Sequence, residues 1–380
     1  MSRPRVAVLD HVTERGGAQL AIARLADRLA DDVELTFVLG GPGSFQDRLE
    51  SAGHRVEVVG LGAVRKMQIA GIRPVADLGA HGPEVLVAAR RIAGVLRELD
   101  AQVLYTNSLK AHVYGTLAAR MAGVPQVAHF RDILAPPYLP TRLRRALQLL
   151  FLALPPAAAV ANSETTARFA PIRGRCTVIP SGITREPARG TPLVENGPVL
   201  AVLGRLERWK GQDVAIRALA RLRRRVPEAR LLIGGAPEVG EAVYAQELRE
   251  LTEVLGITDA VEFTGFVDDP YRFFGRAGVA VHSSVLPEPF GQVVVEAMAA
   301  GRPVIATAAG GPLEILAGGR FGMLVPPGDP DAIADAAFRL LETPDLYARL
   351  SDAAVRRASD YTIEVSAAKT LRLLHEVAGS

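Results

Sequence analysis

At 380 residues the chain exceeds a typical single domain and predicts two. Its composition, 49% apolar and 22% charged, is that of an ordinary globular protein, and its single cysteine, Cys176, excludes an intrachain disulfide and points to a reducing compartment. A net charge of +3 is too small to argue for nucleic acid. The distribution of charge says more: residues 1–190 carry 24 Lys/Arg against 16 Asp/Glu, whereas the remainder carries 20 against 25. A basic first half suits an anionic acceptor or peripheral contact with a membrane surface, although Arg outnumbers Lys 40 to 4 and part of that excess is compositional bias. The first residues run straight into a strand pattern without an apolar leader, and the longest apolar stretch, Ala146 to Ala161, is broken by Pro155-Pro156. The expectation is a cytoplasmic protein, at most peripheral at the inner face of the cell membrane.

Arg5–Asp10 reads as a buried parallel strand. His11 to Gln19 follows, with Gly16-Gly17 ahead of an amphipathic helix through Leu29: a phosphate-compatible turn that lacks the G-x-G-x-x-G dinucleotide fingerprint. Further strands are predicted at Leu35–Leu39, Val56–Val59, Val103–Tyr105, Gln126–His129, Ala158–Ala161 and Thr177–Ile179, with helical patterns between most of them. That alternation predicts a doubly wound parallel sheet, whose ligands bind beyond the carboxyl ends of the strands. Polar residues stand at those ends: Asn107-Ser108, His129-Phe130-Arg131-Asp132, Asn162-Ser163-Glu164 and Ser181-Gly182. Gly62 to Pro83 is irregular and reads as an acceptor-side loop. Arg142 to Leu152 is basic at its start and apolar after; burial against the sheet is favoured over a position on an anionic membrane. The first domain is expected over residues 1–185, with a Pro/Gly-rich linker over 186–197 and a second domain over 198–360.

The second domain opens with the strand Val199–Leu203 and the turn Gly204-Arg205-Leu206-Glu207-Arg208-Trp209-Lys210-Gly211. Two cations at a strand-to-helix turn suit a leaving diphosphate, whose charge grows in the transition state. Arg offers bidentate donors and Lys a point charge. A strand candidate at Leu231 and the stretch from Val261 to Asp269 precede the apolar run Val279–Val281, which feeds His282-Ser283-Ser284 and a Pro-rich turn. Pro289-Phe290-Gly291 then sets free backbone N–H groups at a helix start, where the dipole favours an anion or an electron-rich oxygen. Glu296, roughly 8 Å along that helix, is suited to neutral hydroxyls such as those of a ribose, and Glu288 at the mouth to a second hydroxylated group. Asp329-Pro330-Asp331 spells a metal-binding Asp-x-Asp, but it sits where a helix N-cap is expected and is rejected as a metal site. No His/Cys cluster offers zinc ligands. Ile363 to Val377 reads as a last helix.

The stretch from Glu288 to Glu296 resembles the E-x7-E segment of the retaining glycosyltransferases of family four, and Gly204-Arg205…Lys210-Gly211 resembles that family's Gly-Arg…Lys-Gly motif. The resemblance spans nearly the whole chain. It implies the GT-B fold: two Rossmann-like, doubly wound parallel-sheet domains with a cleft between them, the final helix (361–380) bracing the first. It implies that Arg205 and Lys210 meet the donor diphosphate, Glu288 the donor sugar and Glu296 the ribose. The amides of Phe290 and Gly291 line the sugar pocket, and Phe266 and Val267 bracket the base. Gly16 and Gly17 approach the donor phosphate, and His129 contacts the donor sugar, with Arg131 and Asp132 on the acceptor side. Ser181 stands where the family usually has Asn, so no ligand role passes to it. The activity implied is retaining sugar transfer from a nucleotide-diphosphate sugar, UDP ahead of GDP, without metal or other cofactor. The acceptor is a hydroxyl of a glycan, lipid-linked molecule or metabolite, with oligomeric state left open. A nucleotide-sugar epimerase or phosphorylase on a related fold, or a non-catalytic sugar-nucleotide binder, are the competing readings.

Overall fold

A computed structural model of the chain describes residues 3–11, 14, 16–60, 82–174, 176–188, 197–237 and 242–379. The expected acceptor-side loop lies outside the described residues except at its end, where Gly82 opens a helix running to Glu98. Most of the expected linker is likewise outside them. The chain divides into two units, residues 1–182 with 363–380, and residues 183–362.

Among the described residues, the first unit holds seven parallel strands: β1 (Arg5–Asp10), β2 (Glu34–Leu39), β3 (Arg55–Val58), β4 (Val103–Thr106), β5 (Gln126–Phe130), β6 (Ala158–Ala161) and β7 (Thr177–Val178). Their order is β3-β2-β1-β4-β5-β6-β7, so the winding reverses between β1 and β4. Side chains alternate across a strand, and β1 feeds two cores in this way. Val6 and Val8 pack with Phe37, Leu39 and the helices Gly17–Leu29 and Ile363–Ala378. Ala7 and Leu9 pack on the opposite face with Leu104 of β4 and with Ile92 and Ala118 from helices Gly82–Glu98 and Leu109–Ala122. The last helix is thus part of the first unit's core, through Ile363, Ala367, Leu374 and Val377. Helix Thr141–Ala153 buries Leu147 and Phe151 beside Phe130, while Leu149 and Leu152 face solvent. Its expected burial against the sheet holds for one face only.

The second unit has six parallel strands among the described residues: β8 (Val199–Leu203), β9 (Arg230–Gly234), β10 (Val261–Gly265), β11 (Val279–His282), β12 (Val304–Thr307) and β13 (Met323–Val325). The order β10-β9-β8-β11-β12-β13 places the reversal between β8 and β11. Leu200, Val202 and Ile233 pack against helices Gln212–Leu222 and Pro330–Glu342. Ala201, Ala280 and Ala306 face helices Gln292–Ala299 and Pro344–Ala358. The short apolar runs predicted as strands are all strands, with ends moved by a residue or two. The instructive difference is β11, which extends through His282 because that residue pairs with Ala306 of β12; its buried ring meets Thr307 Oγ1, 3.3 Å away.

Candidate active site

Open parallel sheets take ligands at the carboxyl edge beside the reversal of strand order. In the second unit the residues there come from the loops after β8 and β11. The β8 loop passes through a 3-10 turn at Arg208–Lys210 and reaches helix Gln212–Leu222 through Gly211, whose φ is +68°. A Cβ on Gly211 would lie 2.1 Å from the Ser283 carbonyl oxygen, so only glycine lets the two loops touch. Two hydrogen bonds hold them together: Ser283 Oγ donates to the Lys210 carbonyl (3.0 Å) and Val285 N–H to the Trp209 carbonyl (2.8 Å).

This contact sets Lys210 against Glu288. Lys210 Nζ donates to Glu288 Oε2 at 2.6 Å, and it also lies over the Trp209 ring, 4.0 Å from its centroid. Ser284 Oγ donates to the same Oε2 at 3.3 Å, and His282 Nε2 stands 3.4 Å from it. All these contacts converge on one carboxylate oxygen; Oε1 takes no hydrogen bond from the described residues. Burial works to neutralise Glu288, but the Lys210 charge and the His282 hydrogen bond outweigh it and hold the carboxyl well below its usual range. Behind it, the backbone of Glu288 bridges Gly310, and Gly311 N–H donates to the Glu288 carbonyl at 2.8 Å. A Cβ on Gly310 would meet that same carbonyl oxygen at 2.1 Å.

Helix Gln292–Ala299 starts from Gly291 in the left-handed region, with no acidic residue in its first turn to occupy its amides. Glu296 is buried in it, with Gln292 Nε2 3.5 Å from its Oε1. Phe290 is buried too, its ring packed near Tyr361. Arg205 extends outward, 46% exposed, beside Glu207 (3.1 Å). Phe266 is 59% exposed after β10, so its ring is outside the core. Asp329 accepts from Ala332 N–H at 2.9 Å as a helix N-cap, and Asp331 pairs with Arg221.

In the first unit the corresponding edge carries a buried polar network. Asp10 Oδ2 accepts from Gln19 Nε2 (3.0 Å) and Asn107 Nδ2 (2.8 Å), on either side of the reversal between β1 and β4. Arg131 Nε donates to Asn107 Oδ1 at 2.5 Å, and another of its nitrogens to Ser181 Oγ at 3.1 Å. Asn162 Nδ2 donates to the Arg131 carbonyl. His11 Nδ1 lies 2.7 Å from Ser108 Oγ; burial, with Lys110 nearby and against the pull of Asp10, brings its pKa down to about 4. Gly16 caps helix Gly17–Leu29, and Gly17 is exposed at its start.

His129 lies one residue before the end of β5, 2% exposed, sharing a 2.5 Å hydrogen bond with the Tyr105 hydroxyl. Burial, reinforced by Arg131, keeps its ring neutral. The member of that quartet standing among the edge's polar groups is Arg131, and Asp132 beside it is exposed. Sequence reasoning gave no role to His282, Ser284 and Thr307. The signal that singled out Asn107 and Asn162, a polar residue closing an apolar strand, was present in Val279-Ala280-Val281-His282 as well.

Two Rossmann-like parallel-sheet units, each with a polar carboxyl edge beside its strand reversal, define the GT-B class of glycosyltransferase folds. The description "Glycosyltransferase Family 4" matches residues 15–186 and "Glycosyl transferases group 1" matches residues 185–357; with both halves accounted for, the chain belongs to the group 1, family 4 glycosyltransferases. Among curated relatives, it is 36% identical over 190 residues to a D-inositol 3-phosphate glycosyltransferase of Corynebacterium urealyticum, covering 49% of this chain and 44% of that protein. It is 34% identical over 167 residues to the mannosylfructose-phosphate synthase of Agrobacterium fabrum, covering 43% and 37%. The chain therefore spans less than half the length of either relative. The Anabaena protein HepE, solved in complex with UDP and glucose, superposes with a TM-score of 0.81 at 27% identity, over 97% of this chain and 99% of that one.

Proposed function

We propose that this chain is a retaining, metal-independent glycosyltransferase. It moves a hexosyl or N-acetylhexosaminyl group from a nucleotide-diphosphate sugar, UDP favoured over GDP, to a hydroxyl of a glycan, lipid-linked or metabolite acceptor. The observation that carries the reading is the Lys210–Glu288 pair at the strand reversal of the second unit, beside a helix start with unoccupied first-turn acid positions. Lys210 and the exposed Arg205 offset the charge growing on the departing diphosphate, an effect larger in the transition state than in the ground state. Glu288 Oε1 accepts from donor-sugar hydroxyls while Oε2 holds Lys210, and Glu296 accepts from the ribose. The amides of Phe290 and Gly291 line the sugar pocket, and the backbone at Phe266 and Val267 brackets the base. Gly16 and Gly17 approach the donor phosphate. In the transfer step the bond from the anomeric carbon to the diphosphate oxygen breaks, the acceptor oxygen bonds to that carbon on the same face, and its proton passes to the departing diphosphate.

Acceptor binding falls to Arg131 and Asp132 in the first unit, and His129 contacts the donor sugar. The complexes of HepE with UDP and with UDP-glucose support the choice of base. The test is nucleotide release and sugar transfer with a panel of UDP- and GDP-sugars, each with and without EDTA. Transfer from a UDP-sugar that survives EDTA is the expected result. No binding of any UDP- or GDP-sugar in calorimetry overturns the reading, and EDTA-sensitive transfer overturns its metal independence.

A further inference from the structure

We infer that helix Thr141–Ala153 docks the first unit on an anionic lipid bilayer, lying in the plane of the headgroups. At about 100° per residue, positions 142, 145, 149 and 152 fall within an arc of roughly 80° and extend along about 15 Å of helix. That stripe is the helix's outer face: Arg142 and Arg145 are exposed, Leu149 is 67% exposed and Leu152 48% exposed. Leu147 and Phe151, on the opposite side, are buried in the unit's core. Two cations followed by two large apolar side chains on a single exposed face form the pattern of an interfacial helix, its arginines reaching phosphates and its leucines entering the acyl boundary.

Two further observations commit the face to lipid. From Ile133 to Ser163, between the exposed Asp132 and Glu164, the sequence has no acidic residue, so no carboxylate of this helix repels a negative surface. The stripe also runs into a groove of about 340 Å³ walled by Leu152, Pro155, Pro156, Ile172 and Arg173, part apolar and part polar, with a cation among its walls. The helix has 13 residues, too few to span a bilayer, so the docking inferred is in the headgroup plane.

The test is co-sedimentation of the full chain with vesicles of phosphatidylcholine alone and with vesicles carrying about a third phosphatidylglycerol, at low and high salt. Wild type is expected to sediment with the anionic vesicles and to be released by salt. The double variant Leu149→Ser with Leu152→Ser should partition about tenfold less, because its apolar insertion is lost. Arg142→Gln with Arg145→Gln alters only exposed groups and should lose the phosphatidylglycerol preference. Circular dichroism of both variants checks that they fold. Failure of wild type to sediment with anionic vesicles, or equal sedimentation of wild type and both folded variants, overturns the proposal. So does a concentration-dependent dimer that the leucine substitutions abolish, which would make this face a contact between copies.

Discussion

Replacing Lys210 with Met removes one charge from the carboxyl edge of the second unit's sheet while keeping most of the stem that lies over Trp209. The Lys210 and Glu288 side chains are only 17% and 12% exposed, so the small value of a surface pair does not apply. Breaking a buried pair by removing one partner costs ~3–5 kcal/mol; His282 and Ser284 remain beside Glu288, which places this change at about 3 kcal/mol near neutral pH. For a unit of this size that lowers Tm by roughly 6–12 °C. The pH dependence is more diagnostic. In wild type the Glu288 carboxyl is held below its usual range, so its contribution is complete above a pH of about 4.5 and is lost as pH falls through the lowered folded value. Without Lys210, burial, the largest single influence on this carboxyl, raises it instead. The folded variant then gains from protonation, and the stability gap to wild type narrows on acidification, by up to ~1.4 kcal/mol per pH unit. Trp209, the only tryptophan, sits beside the pair, so urea unfolding followed by its fluorescence between pH ~5 and ~7 reports this unit directly. A gap that stays constant or widens toward pH 5 refutes the reasoning.

Gly211→Ala should cost about 3 kcal/mol or more, ~1–2 kcal/mol for the left-handed backbone and the rest for the approach to the Ser283 carbonyl; a calorimetric Tm within 2 °C of wild type would show that the loops need not touch. Arg205→Ala removes an exposed, surface-paired group, so stability should change by no more than ~0.5 kcal/mol while sugar transfer falls about 10²-fold, read as nucleotide release. Asp329→Ala should lose a helix cap worth about 1 kcal/mol and leave transfer unchanged with or without added manganese, which separates the cap from a metal ligand.

The strands were legible because buried parallel strands announce themselves as short apolar runs, and Arg5–Asp10, Ala158–Ala161 and Val199–Leu203 coincide with the expectation to the residue. The loops that carry the cations and carboxylates were legible for another reason: Gly211, Gly291 and Gly310 mark turns whose backbone only glycine adopts at ease. What stayed hidden depends on which way a side chain leaves its strand. His129 and Arg131 are two apart and both polar, yet the first is used inside the sheet by Tyr105 and the second outside it by Asn107 and Ser181. Alternation alone cannot separate them, because the strand ends between the two. For helix Thr141–Ala153 the sequence offered both burial and an anionic membrane surface and favoured burial, since an apolar-rich helix pattern reads as buried until the core has been filled by one side of it.

The arrangement around Glu288 answers an objection to giving Lys210 two duties. An ammonium has three hydrogens, and the pair with Glu288 Oε2 uses one of them. The cation is therefore held in place by the carboxylate without being used up by it, and a diphosphate oxygen can take a second hydrogen with the pair intact. The carboxylate is divided in the same way. Lys210, Ser284 and His282 all gather on Oε2, so Oε1 keeps its acceptor capacity for a hydroxyl. Because the glycine contacts at Ser283 and at the Glu288 carbonyl fix both loops before any ligand arrives, neither group needs to reorganise as charge develops. That is the condition under which fixed donors lower a barrier and do not simply bind substrate.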